Sequence, residues 1–227
     1  MKLLAVDTAT EACSAALYID GEVLERFEMA PRTHTQLIMP MIDSLMAEAG
    51  LEPRQLEGLA FGRGPGSFTG VRIATGVIQG IALGLDLPVV PVSTLAALAQ
   101  DYFGRAAEDV VFAGMDARMG EVFWGVYRKN DQGFAELFGA ESVGPAENVV
   151  FPEEKGCGVG SGWKTYHEAL CERLNDWLSG IESDRLPKAS AIALLGAQGF
   201  VLGQAVPVEL AMPVYLRDKV AKKESER

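Results

Sequence analysis

Histidine, on which most catalytic and metal sites depend, is scarce: the 227-residue chain has only His34 and His167. Its three cysteines, Cys13, Cys157 and Cys171, are scattered and include no Cys-x-x-Cys pair. Zinc sites need clustered histidine or cysteine, and a disulfide framework needs paired cysteines. The composition therefore argues against a metal centre and predicts three reduced thiols. We expect a structural role for His34 at the start of a helix and an exposed position for His167.

Basic residues are also few, 20 against 31 acidic ones, which gives a formal net charge of −11. A surface that holds RNA by itself needs clustered Lys and Arg to neutralise the phosphates. We therefore expect contact with any RNA only through a partner. The chain opens without a signal-peptide pattern, and no uninterrupted apolar run reaches membrane-spanning length. The sequence predicts a soluble cytoplasmic protein with no membrane association.

The signatures of hydrolases and phosphate-binding loops are missing as well. Ser67 stands in GPGSFTG rather than in the G-x-S-x-G elbow of a serine hydrolase, and is better explained as the N-cap of a following helix. The glycine loop at residues 62–69 lacks the lysine of a Walker A motif and does not match G-x-G-x-x-G. No catalytic residue is predicted.

What is present is a pattern that occurs twice. Residues 3–28 read as three antiparallel strands with Asp7 at the end of the first, and the pattern returns at residue 111 with Asp116 in the same place. Alternating helices and strands follow each copy, which predicts an α/β fold with mixed sheets flanked by helices. Helices are predicted near residues 35–49, 69–85, 94–102, 165–178 and 190–202. We divide the chain into an N-terminal lobe (1–105), a C-terminal lobe (106–217) and a charged tail (218–227).

The helix predicted at residues 69–85 has glycine at every fourth position, at Gly76, Gly80 and Gly84. Each glycine in a helix interior costs about 1 kcal/mol relative to alanine. A spacing of four places them on one face, where another helix can approach closely. Two explanations are open: a central helix packed within its own lobe, or a helix with one side against a second subunit.

The first long helix would supply the other half of such an interface, because it carries adaptable methionines such as Met39 and Met46. Pro40 lies inside it, so we expect its regular part to begin near Met39. Two helices from each partner would form a four-helix bundle, with a related chain or with a second copy as a homodimer. The predicted interface residues are Met39, Ile42, Met46, Ile73, Gly76, Val77 and Gly80.

Two three-strand units, each followed by alternating helices and strands, resemble the actin-like, sugar-kinase ATPase fold, which is ribonuclease H-like. Five segments narrow the resemblance to the TsaB family, formerly YeaZ, of tRNA threonylcarbamoyladenosine biosynthesis. They are LAVDTAT at 4–10, GRGPGSFTGVRIATGVIQGIAL at 62–83, PVVPVSTLAALA at 88–99, MDARMGEVFWGVY at 115–127 and PVYLR at 213–217. The resemblance implies an actin-like fold with two pseudo-repeated lobes.

The resemblance also implies a subunit that does no chemistry alone. Members of this family act as scaffold and activator of TsaD, a metal-containing paralogue that transfers threonylcarbamoyl to the adenosine beside the anticodon of tRNA, together with the ATPase TsaE. Thr94 and Leu98 stand where the paralogue has its metal-binding histidines, so no metal is expected here. No cofactor is expected in the chain itself, and ATP or ADP would lie at a partner interface.

Actin-like ATPases hold phosphates between two hairpin turns. By that resemblance Asp7 and Thr8 lie in the first turn, Asp116 and Arg118 in the second, and Gly160 near them; we interpret these as at most a weak vestigial nucleotide site. The alternative function is an independent ATP-dependent phosphotransferase of the sugar-kinase type, with Asp7 or Asp116 positioning magnesium. The missing phosphate-binding signatures weigh against it.

Overall fold

The computed structural model describes residues 1–217, which contain two five-stranded mixed sheets. In the first sheet the strands lie in the order β3-β2-β1-β4-β5, with β1 antiparallel to β2 and parallel to β4. The five strands are β1 (Lys2–Asp7), β2 (Ala12–Ile19), β3 (Glu22–Met29), β4 (Gly58–Gly62) and β5 (Val89–Val92). Every residue of β4 is buried, as expected for a parallel strand covered on both faces.

The second sheet repeats this arrangement in the order β10-β9-β6-β7-β8, with β6 antiparallel to β7 and parallel to β9. Its strands are β6 (Val110–Asp116), β7 (Val122–Lys129), β8 (Ala135–Gly144), β9 (Gly156–Val159) and β10 (Leu178–Glu182). Asp7 and Asp116 each end the first strand of a three-strand meander. The predicted duplication is confirmed, and the fold is the actin-like α/β fold with two pseudo-repeated lobes.

Helices separate and cover the two sheets in five layers. The outer face of the first sheet is covered by α1 and α2, and the outer face of the second by α4 and α5. Between the sheets, α6 packs on the first sheet, α3 packs on the second, and the two helices contact each other. The helices are α1 (His34–Glu48), α2 (Phe68–Leu85), α3 (Thr94–Phe103), α4 (Gly162–Thr165), α5 (His167–Leu174) and α6 (Ala189–Val201).

The middle layer crosses the predicted lobe boundary. Leu95 and Leu98 of α3 lie in the core of the second sheet with Val111, whereas Ile192 of α6 lies in the core of the first sheet with Leu3. Each sheet therefore buries a helix from the other half of the chain. The division into lobes at 1–105 and 106–217 stays a prediction. The tail predicted at 218–227 lies outside the described residues.

Two element predictions are wrong. Helix α1 begins at His34 and continues through Pro40; the residue is exposed, and the carbonyl that loses its donor belongs to exposed Gln36, so water can satisfy it. The single helix predicted at residues 165–178 is broken instead: α5 ends at Leu174, the next residue, Asn175, has φ 31°, and a 3-10 turn (Asn175–Trp177) leads into β10. Leu170, Leu174 and Leu178 have helical spacing, which explains the error.

Helix α2 is, among the described helices, the one with the length and composition of a membrane span, with 18 residues and a mean hydropathy of 1.4. The sequence analysis expected no uninterrupted apolar run of membrane-spanning length, and α2 corrects that expectation for length and composition. Its buried residues, such as Ala74 and Ile78, pack in the core with Leu59 and Phe61 of β4. Helix α2 therefore packs on the sheet as one layer of a globular fold, although only 33% of its residues are buried.

Candidate functional site

The glycine-proline loop after β4 delivers the chain into α2 and holds its first turn against the β1–β2 turn. The Ser67 hydroxyl accepts a hydrogen bond from the Gly70 N–H at 3.4 Å, which confirms the predicted N-cap, and the Ser67 N–H donates to the Ala9 carbonyl at 2.7 Å. A Cβ at Gly70 would lie 1.9 Å from the Thr8 carbonyl oxygen. Only glycine allows this approach, which fixes the direction of α2.

The outer side of α2 is uncovered. A Cβ added at Gly76, Gly80 or Gly84 would meet no atom within 4 Å, so nothing in the described chain packs on the strip. Leu83, on the same side, is 75% exposed. The packing of α2 within its own lobe therefore does not involve the glycine strip in residues 1–217. We call these four residues, with half-buried Ile73 and Val77 beside them, the glycine face.

The other predicted interface residues divide between surface and core. Met39 on α1 is 44% exposed and lies outside the core. Ile42 and Met46 are only 5% and 7% exposed and belong to the core between α1 and the first sheet. The prediction of Ile42 and Met46 as interface residues therefore needs correction, because both lie on the face of α1 that packs against the first sheet.

A cleft of about 710 Å³ opens between the two lobes, beside the first turn of α2. Its floor is apolar and includes Val71, Met115 and Phe123. Its charged lining is mainly basic, which is notable in a chain with a net charge of −11. The charged lining residues are Arg32, Arg118, Lys164 and Arg217, with Glu11 and Asp116 of opposite sign.

Only two of the five predicted nucleotide-site residues line this cleft. Asp116 does, and its carboxylate accepts hydrogen bonds from the Tyr166 hydroxyl at 3.0 Å and the Arg118 backbone N–H at 2.8 Å. Asp7 and Thr8 are fully buried, and Gly160 packs against Gly114 of β6 and Leu98 of α3. The five residues do not form one phosphate-binding wall, and we derive no nucleotide chemistry from them.

Asp7 is an ionisable group with an unusual environment. Neither carboxylate oxygen has a hydrogen-bond partner of good geometry in the described chain, and the side chain is fully buried beside Gly62. Burial raises the pKa of Asp7 from 3.8 to about 7, an effect that the nearby backbone N–H groups of Ala9 and Thr8 partly offset. The folded protein therefore holds a proton on Asp7 at mildly acidic pH.

A polar cluster that the sequence did not reveal connects the lobes. The Ser93 hydroxyl caps α3, accepting from the backbone N–H groups of Leu95 and Ala96 at 3.1 and 3.2 Å, and lies 3.3 Å from the Tyr127 hydroxyl. Tyr127 donates to the Glu141 carboxylate at 2.5 Å. Burial, and then the charge of Glu141, raise the pKa of Tyr127 well above 10. The capping position of Ser93 was a signal in the sequence; its partners in β7 and β8 were not.

Comparison with known proteins identifies the family. A family model described as TsaD, tRNA N6-adenosine threonylcarbamoyltransferase, matches residues 27–225. The tRNA threonylcarbamoyladenosine biosynthesis protein TsaB of Escherichia coli is 42% identical over 97% of this chain and 96% of its own length. The chain belongs to the TsaB family. Haemophilus influenzae TsaB is 40% identical over 97% of this chain and 95% of its own length. The solved structure of YeaZ from Pseudomonas aeruginosa superposes with a TM-score of 0.88 at 43% identity, and the superposition covers 95% of this chain and 99% of that one.

The positions that correspond to metal ligands in the paralogue are structural in this TsaB-family chain. Thr94 is fully buried, and its hydroxyl donates to the Pro65 carbonyl, which ties α3 to the glycine-proline loop. Leu98 is 1% exposed in the core of the second sheet. Within residues 1–217, no three His, Cys, Asp or Glu side chains are grouped as metal ligands. These residues do not fit a metal centre, so no chemical step is assigned to one.

Proposed function

We propose that this chain is a noncatalytic scaffold and activator in the formation of threonylcarbamoyladenosine on tRNA. It binds a TsaD-like paralogue through the glycine face of α2 and the exposed side of α1, and acts together with a TsaE-like ATPase in the cytoplasm. The observation that carries the proposal is the uncovered glycine strip. Membership of a family whose named relatives are tRNA threonylcarbamoyladenosine biosynthesis proteins supports the pathway.

Gly76, Gly80 and Gly84 carry an energetic cost within α2. In an isolated chain they weaken α2 by about 3 kcal/mol relative to alanine, at about 1 kcal/mol each. Nothing within 4 Å of their Cβ positions makes glycine necessary for the fold of residues 1–217. We infer that the requirement for glycine comes from outside residues 1–217, and a second helix lying across the strip at close range is the geometry that this spacing permits.

The rest of the surface fits a helical partner. Leu83 and Met39 are 75% and 44% exposed, and Ile73 and Val77 are partly open beside the strip. A stable interface buries about 1,600 Å² in total, to which each chain contributes about half. Helices of 15 and 18 residues provide a face of that order. A second copy of the chain presents the same surface, so we also expect a homodimer that competes with the heterodimer.

The charge of the chain supports binding of tRNA by the complex rather than by this subunit alone. With a net charge of −11, the surface repels a polyanion at distances within the Debye length. The cationic residues of the cleft are few, and Lys164, Arg118 and Arg217 are paired with carboxylates. Binding of tRNA is therefore expected only when the paralogue is present.

The test is size-exclusion chromatography with light scattering on the chain, alone and mixed with the TsaD-like paralogue of the same organism, followed by a threonylcarbamoylation assay on tRNA. We expect a complex that is active only when both proteins are present. Gly80→Arg should abolish it, because a long cationic side chain on the strip prevents close helix approach. Gly144→Arg is the matched control, since Gly144 also has open space around its Cβ position but lies at the end of β8.

Two outcomes would contradict the proposal. One is a full-strength complex with Gly80→Arg in a folded protein, which would move the interface away from the glycine face. The other is steady-state ATPase or kinase activity of the purified single chain, which would favour the sugar-kinase type of phosphotransferase.

A further inference from the structure

The last described segment, residues 211–217, forms a strap that connects α2 to the second lobe. It follows the 3-10 turn Val208–Leu210 and runs along α2 from Gln79 back to Phe68. The Val214 N–H donates to the Arg63 carbonyl at 2.8 Å, which fastens the middle of the strap to the loop after β4. The strap therefore contacts the elements that position α2 before it leaves the first lobe.

The first anchor of the strap lies on α2 itself. The Gln79 side-chain amide donates to the Ala211 carbonyl at 2.9 Å, and Arg72 Nε donates to the Tyr215 hydroxyl at 3.0 Å. The Tyr215 ring lies 5.6 Å from that of Phe68, centroid to centroid. Three side chains on one side of the helix thus hold the strap.

The second anchor lies on the β6–β7 turn of the second lobe. The Arg217 guanidinium donates to the carbonyls of Ala117 and Arg118 at 3.1 and 3.4 Å and pairs with the Glu121 carboxylate. This turn contains two non-glycine residues with positive φ, Arg118 at 62° and Met119 at 58°. Such a backbone is disfavoured for L-residues and persists where surrounding contacts hold it.

The strap borders both candidate surfaces. Arg72, Gly76 and Gln79 share one side of α2 because they are spaced by four and three residues. A helix lying on the glycine face would therefore touch Met212 and Tyr215, which are 57% and 43% exposed. The same segment forms part of the cleft wall, from Val214 to Arg217.

We propose that the strap couples occupancy of the glycine face to the cleft between the lobes. A partner helix that packs on α2 immobilises the strap at its first anchor, and Arg217 transmits this restraint to the β6–β7 turn on the far wall of the cleft. Because such coupling is reciprocal, a change that loosens the turn also weakens the partner's binding. The inference rests on the proposed function, since the proposed partner is the one that binds the glycine face.

Hydrogen–deuterium exchange on the full chain, with and without the TsaD-like paralogue, tests the coupling. The turn amides of Ala117 and Glu121 are bonded within the turn, to Glu121 and Arg118 carbonyls, and report its opening. In the wild type we expect the paralogue to slow exchange in α2 and, several-fold, in residues 117–121. In Arg217→Ala the protection of α2 should persist at saturating paralogue while that of the turn is lost.

Arg128→Ala is the matched control, because Arg128 forms an exposed ion pair with Glu154 in the same lobe and does not touch the strap. It should behave as wild type. Tyr215→Ala, which removes the Arg72 and Phe68 contacts of the first anchor and leaves the Gln79–Ala211 hydrogen bond, should also reduce protection of the turn. This second variant guards against misfolding caused by one substitution.

The possible outcomes separate the two proposals. Protection of α2 without any change at residues 117–121 would overturn the coupling and leave the proposed function standing. Protection of the turn that survives in both variants would mean direct contact by the partner, and would also overturn it. No protection of α2 at all would contradict the proposed function, and the coupling with it.

Discussion

Replacing Asp7 by asparagine should change how the stability of the protein depends on pH. The carboxyl group is fully buried and has no side-chain or cationic partner among residues 1–217, so the folded state favours its protonated form. Asparagine has nearly the same shape and does not titrate. The variant therefore removes one ionisation while the backbone and neighbours stay as they are.

The size of the effect follows from the shift of the Asp7 pKa from 3.8 to about 7. Because the pKa is raised in the folded state, the contribution to stability is fully present below the unfolded pKa and is lost as pH rises through the folded pKa. At pH 8 the loss is about 4 kcal/mol, against less than about 1 kcal/mol at pH 4. The variant should thus gain about 3 kcal/mol relative to wild type between these two pH values.

Urea denaturation followed by tryptophan fluorescence provides the measurement, because Trp124 and Trp163 are buried and report the folded state. All other titrating groups are common to both proteins, so the difference between their unfolding free energies isolates Asp7. Asp116→Asn is the control, since Asp116 occupies the equivalent place in the second repeat but has hydrogen-bond partners. Stability curves of wild type and Asp7→Asn that run parallel from pH 4 to pH 8 would refute the reasoning.

Other substitutions probe the glycine helix and the polar cluster. Gly76→Ala should raise the free energy of unfolding by about 1 kcal/mol in chemical denaturation, because the new methyl group meets nothing and the helix gains propensity. Gly70→Ala should lower the free energy of unfolding by about 1–3 kcal/mol or more, since the new Cβ would lie 1.9 Å from the Thr8 carbonyl oxygen. Equal effects of alanine at positions 70 and 76 would contradict this difference in packing. Tyr127→Phe should cost about 1–3 kcal/mol by removing one of the two hydroxyl donors to the Glu141 carboxylate, the other being Ser93, while Tyr215→Phe, at an exposed hydrogen bond, should cost less.

The features that the sequence predicted well are those governed by local spacing. Ser67, the glycine loop and the apolar run after it specify a capped helix, and α2 begins and ends within one residue of the prediction. The positions of Asp7 and Asp116 revealed the duplication because each ends an apolar strand before a turn. The close approach of another helix to the glycine strip stays a prediction, since nothing in residues 1–217 packs on the strip.

The features that it missed depend on contacts between distant segments. Helical spacing marked Ile42 and Met46 as candidates for an interface, but only the position of the first sheet shows that α1 turns them inward. Asp7 and Asp116 are similar in sequence context, yet one is buried and the other lines the cleft. The strap was visible in the sequence only as PVYLR, with no pattern to show that Arg217 reaches the second lobe.

The duplicated fold is asymmetric where a partner would bind. The outer face of the first sheet carries two long helices, α1 with 15 residues and α2 with 18. The corresponding face of the second sheet carries α4 with four residues and α5 with eight, which are too short to present a paired-helix surface. A partner built on the same fold can therefore form a four-helix bundle only with the first lobe. The second lobe contributes the far wall of the cleft and the turn that anchors the strap, so its effect on a bound partner would pass through residues 211–217.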